Sequence, residues 1–105
     1  MNLEQLKKTD PEFARCFENF ALDEVVNEEG QQLEPATRYL AILATLMGCG
    51  GVDAYRQILP DALASGLTPV AVKEAVYQAA DYLGYGRMLP FLNAANELLE
   101  QHGVA

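Results

Sequence analysis

Two short stretches hold the side chains best suited to chemistry. The first, residues 45–60, reads TLMGCGGVDAYRQILP and sets Cys49 among Gly48, Gly50 and Gly51. A thiol at the start of a helix gives up its proton more readily, because the helix dipole and unpaired N–H groups stabilise a thiolate. Cys49 is therefore a candidate nucleophile, and the glycines would let a substrate approach the backbone. Alternatively, Gly48 caps one helix, Gly50 and Gly51 make the turn, and Cys49 packs as a small apolar residue. No second cysteine stands within three residues and no histidine is near in sequence. A reactive thiol ordinarily needs such an activating neighbour.

The second stretch, residues 81–89, reads DYLGYGRML. Arg87 is expected at the start of a helix, where a cation opposes the dipole. A charge there needs a partner, either Asp81 or Asp53, or an anionic ligand gripped by two parallel hydrogen bonds. Tyr82 and Tyr85 flank Arg87, and Asp53, Tyr55 and Arg56 open an earlier helix. If these groups meet, Arg87 anchors an anion while Tyr55 and Tyr82 donate hydrogen bonds. Asp53 is then the candidate acid or base, a role that calls for burial.

Other chemistries find little support. The only histidine, His102, closes the last expected helix, where a cation complements the dipole and chain ends fray. One histidine and no close cysteine pair exclude a conventional zinc site. No spacing of Asp and Glu gathers carboxylates for another metal. Gly48, Gly50 and Gly51 lack the following Lys-Ser/Thr of a phosphate loop. No cofactor is expected.

The elements that must position these residues are helices. Half of the 105 residues are hydrophobic, and Leu and Ala, strong helix formers, dominate over the β-branched residues of strands. Proline and glycine divide the chain into five expected helices within a single all-α domain, 1–105. The first starts at Asp10-Pro11, with Asp10 as cap, and runs to about Asn27 with Phe13, Phe17, Phe20 and Val25 on one face. A loop containing Gly30 follows. The second opens at Pro35 and ends at Gly48; YLAILATLM is apolar on nearly every side, which calls for burial in the domain or between subunits. The third spans about Val52 to Ser65, with a kink or break expected near Pro60. The fourth is capped by Thr68, started by Pro69 and stopped by Gly84. Its stripe is Val72, Ala75, Val76, Ala79, Ala80 and Leu83, with Lys73, Glu74, Gln78 and Asp81 off it. The fifth runs from about Arg87 to Gln101, with Pro90 in its first turn.

Charge and length narrow the class further. Seven basic residues stand against fifteen acidic ones, a formal charge of −8, which disfavours nucleic acid and anionic membranes as partners. No apolar run reaches the roughly 20 residues of a membrane span, and the N-terminus lacks a signal-peptide core. A cytoplasmic location is expected, with Cys16 and Cys49 as free thiols.

The segments LEPATRYLAILATLMG and ALASGLTPVAVKEAVYQAADYLGYGRMLPFLNAANELL, together with ENFALDEV, resemble the carboxymuconolactone decarboxylase family, whose fold is alkylhydroperoxidase D-like. The resemblance covers about Glu12 to Leu99, and GLTPVAVKEAVYQAADYLGYG carries it most specifically. It implies an all-α fold and a homo-oligomer, trimeric or hexameric. The family's peroxidases use a Glu-x11-Cys-x-x-Cys-x-x-x-His relay. Aligned on Gly66, its positions fall on Tyr39, Gly51, Ala54 and Ile58, none of which can supply thiolate or proton shuttle. The histidine of the lactone decarboxylases is likewise replaced by Ile58. The expected function is a family-like protein with a diverged pocket between subunits for a small anionic or carbonyl-bearing compound. Two alternatives stand beside it: a non-catalytic oligomeric binding module, and single-cysteine thiol chemistry at Cys49.

Overall fold

A computed structural model of the chain describes residues 3–20, 32–101 and 103. The described residues form six helices and no strand: α1 Leu3–Thr9, α2 Pro11–Phe17, α3 Pro35–Gly48, α4 Val52–Ala64, α5 Pro69–Leu83 and α6 Tyr85–Gln101. No helix among them is long and apolar enough to cross a membrane. The chain divides into two compact units, Met1–Leu33 and Glu34–Ala105.

In the first unit, α1 packs on α2, an element absent from the sequence reading. Asp10 does not cap α2 through its side chain; its Oδ2 accepts from the Thr9 hydroxyl at 2.8 Å instead. Pro11 takes the first helical position as expected, and residues 18–20 continue α2 as a π turn. Ala14 is buried, whereas Phe13, Phe17 and Phe20 stay exposed. The remainder of the expected first helix, with Val25, and the loop with Gly30 lie outside the described residues, as does His102.

The second unit holds the larger core. Two glycine stops set the lengths of α3 and α4. The N–H of Gly51 donates to Leu46 O at 2.8 Å and that of Gly50 to Met47 O at 3.2 Å. Gly50 adopts φ +76, so the left-handed residue that ends α3 is Gly50, not Gly48. The same pattern ends α4: Leu67 donates to Ala62 O, Gly66 to Leu63 O, and Gly66 has φ +104. α4 runs unbroken through Pro60, although the proline offers no N–H to the Arg56 carbonyl. At α5, Thr68 Oγ1 accepts from Ala71 N at 3.1 Å and Pro69 starts the helix. Gly84, at φ +83, closes α5, and α6 begins directly after it, placing Pro90 inside the helix rather than in its first turn.

α5 packs against α6 and α3, and α4 against α3 and α6. The core comprises Leu43 and Met47 of α3, Tyr55, Ile58, Leu59 and Ala62 of α4, Val72 and Val76 of α5, and Phe91, Ala94, Ala95 and Leu99 of α6, with Leu67 between α4 and α5. Each large side chain sealed there contributes about 1.5–3 kcal/mol. The interior is tied at its rim by Arg56–Glu97 across α4 and α6 and by Lys73–Asn96 across α5 and α6. α3 is not covered all round: Ala41, Ala44, Thr45 and Gly48 are exposed.

Candidate functional site

The exposed side of α3 faces one wall of a groove. Leu40, Ala44, Met47 and Gly48 line it from α3; Ala71, Ala75 and Ala79 line it from α5. The volume is about 590 Å³ and the groove is partly open to solvent. Small residues at four-residue intervals keep the two helices' side chains from filling the space between them.

The polar lining comes from α5 alone. Glu74, Gln78 and Tyr82 follow one another at intervals of four, so they stand in a row about 12 Å long. The groove thus has one wall bearing a carboxylate, a carboxamide and a phenol, and one wall that is wholly apolar. In the sequence Glu74 and Gln78 lie off the apolar stripe of α5. The signal that could have marked them is the i, i+4, i+8 row they form with Tyr82. Glu74 makes no hydrogen bond or ion pair among the described residues.

Of the residues singled out by sequence, the groove gathers Tyr82, which is 88% exposed. Arg87 sits beside the groove's end. It is exposed, and its Nε donates to the Leu83 carbonyl at 2.8 Å, Leu83 being a lining residue. The dipole mismatch at the start of α6 is therefore met by a third kind of partner: the guanidinium caps the carbonyl end of α5, where positive charge is favoured. No ion pair joins it to Asp81 among the described residues.

Tyr55 lies elsewhere. Only 1% exposed, its ring meets Phe91 edge-on at 5.2 Å between centroids, and burial pushes its phenol up to about 12. A phenol so buried keeps its proton at any ordinary pH. Asp53 stands exposed on the first turn of α4 and lacks the burial that acid–base work calls for. Cys49 occupies the α3 cap position, exposed, and its thiol donates to Leu46 O at 3.6 Å. The sulfur rests against the carbonyl end of α3, not on the free N–H groups of α4. No group of three or more metal-ligating side chains is found among the described residues.

A sequence profile of the carboxymuconolactone decarboxylase family matches residues 11–97. The chain belongs to the carboxymuconolactone decarboxylase family. No curated protein and no solved structure gives a significant match. The four residues expected at the relay positions lie on α3, just before α4 and on α4. Tyr39 is half-buried on α3, Gly51 precedes α4, Ala54 is exposed, and Ile58 belongs to the core.

Proposed function

We propose that the chain is a carboxymuconolactone decarboxylase family member that binds a small carbonyl-bearing or anionic organic compound in the α3–α5 groove. The observation that carries this reading is the groove itself, apolar on the α3 side and hydrogen-bonding on the α5 side. Binding sites for small molecules have this character: mostly apolar walls and a few directed polar groups. Tyr82 donates to the ligand's carbonyl or carboxylate oxygen. Arg87, held at the groove's end through Leu83, supplies positive charge. The ligand is enclosed when subunits assemble, in keeping with the homo-oligomers typical of the family.

A second reading, a non-catalytic binding module, is favoured by the relay positions, where a phenol, a hydrogen, a methyl and a buried isoleucine replace glutamate, thiols and imidazole. Anilinonaphthalene sulfonate, an aromatic anion, distinguishes a working groove from an inert surface by its fluorescence. Binding is expected to weaken about fivefold in Tyr82→Phe, the value of one hydrogen bond, and to vanish in Ala44→Glu. Unchanged binding in both variants refutes the groove as the site. Decarboxylation of a lactone acid by the same preparation separates the first reading from the second.

A further inference from the structure

We infer that the groove selects a two-ended ligand, with a carboxylate or carbonyl at Tyr82, a protonated amine at Glu74 and an apolar stem between them. The inference rests on the proposed ligand reading for the Tyr82 end; the amine, the stem and their spacing go beyond it.

Among the described residues Glu74 is the only charged side chain lining the groove, and it has no hydrogen-bond or ion-pair partner. The cation next to it in sequence, Lys73, is engaged with α6. Its ammonium meets Asn96 and lies over the Tyr77 ring, 5.9 Å from the centroid. The Glu74 carboxylate is exposed, so water solvates it while the groove is empty. A ligand lying along α5 removes that water, and a carboxylate stripped of water without a new partner is costly. An apolar or anionic group at this position therefore binds badly. An ammonium replaces the lost interactions with a charge-assisted hydrogen bond.

The other end has the opposite character. Tyr82 offers a phenolic O–H, and Arg87, held on the Leu83 carbonyl at 2.8 Å, brings positive charge. Gln78, between them, carries both a donor and an acceptor and favours neither polarity.

Spacing sets the length of the ligand. Glu74 and Tyr82 stand eight residues apart on one helix, which is about 12 Å. Three backbone bonds of an extended chain cover about 3.3–3.6 Å, so about ten bonds separate the two ligand groups. An ω-amino acid of about eight carbons has that span. Its stem lies against Leu40, Ala44 and Met47, whose side chains are apolar. A peptide of equal length would turn unpaired N–H and C=O groups to this wall.

Titration calorimetry on the full chain with ω-aminooctanoate, octanoate, octanedioate and triglycine tests each part. ω-Aminooctanoate is expected to bind about fivefold more tightly than octanoate and about tenfold more tightly than octanedioate. Triglycine, the peptide of similar span, is expected not to bind. Glu74→Gln removes the preference for the amine, and Glu74→Lys reverses it in favour of octanedioate. Position 74 is exposed, so both variants fold, which circular dichroism checks. A wild type that does not prefer ω-aminooctanoate, a preference unchanged in Glu74→Gln, or triglycine bound equally well overturns the inference. Dye binding that responds to Tyr82→Phe and Ala44→Glu, without any amine preference, overturns it and leaves the ligand reading standing. Dye and probes that ignore every groove substitution overturn both.

Discussion

Tyr55 shows how a residue's chemistry follows from its place on a helix. Tyr55, Ile58, Leu59 and Ala62 recur at i, i+3, i+4 and i+7, and all four are buried. That row was present in the sequence. Tyr55 has the polar neighbours Asp53 and Arg56, which mask the row by making the start of α4 resemble a polar cluster. Its phenol, raised to about 12 by burial, links stability to pH. Between about pH 10 and 12 the unfolded chain has lost the tyrosine proton while the folded chain keeps it. Stability is thus full below pH 10 and falls as pH rises, by about 3 kcal/mol over the two units. In Tyr55→Phe this part of the alkaline loss is expected to disappear from denaturant midpoints measured between pH 9 and 12. At neutral pH the change is small, because the hydroxyl makes no hydrogen bond among the described residues. An alkaline loss identical to the wild type refutes the assignment.

At the scale of the element, local punctuation accounts for most of what was legible. α3 begins at Pro35 and ends at Gly48, and α5 is bounded by Thr68, Pro69 and Gly84, all as the sequence indicates. Each of these signals acts within one turn of the residue that carries it. The departures are places where neighbours outweigh the local rule. α1 has no proline or glycine to announce it and rests on α2. α4 passes through Pro60 because Tyr55, Ile58, Leu59 and Ala62, on both sides of the proline, are anchored in the core. The helix therefore tolerates a missing bond that packing compensates. Replacing the proline should recover it: Pro60→Ala is expected to stabilise the fold by about 1–3 kcal/mol in urea unfolding. A neutral or destabilising result would show that the ring's own contacts outweigh the hydrogen bond. The groove was illegible for another reason. It is a space between α3 and α5, and the crossing of two helices is set by residues far apart in sequence.

Across the whole molecule, core and charge are unevenly distributed. Of the fourteen buried apolar residues described, only Ala14 belongs to Met1–Leu33. The ion pairs among its described residues, Lys7 with Glu4 and Glu18 and Arg15 with Glu12, are solvent-accessible and contribute little. A chain beginning at Glu34 should therefore keep a cooperative, helical melt by circular dichroism; a broad, gradual loss of signal would show that the first unit is required. Family membership and the all-helical class were readable from the sequence, since both rest on patterns that run the length of the chain. One feature of the fold also dictates how the protein meets light. The chain has five tyrosines and no tryptophan, with Tyr77, Tyr82 and Tyr85 at the surface and Tyr55 sealed in the core. Its ultraviolet emission is the sum of rings that dissolved acrylamide can reach and one that it cannot. The unquenchable remainder reports the interior directly, and any cover laid over Tyr82 enlarges it.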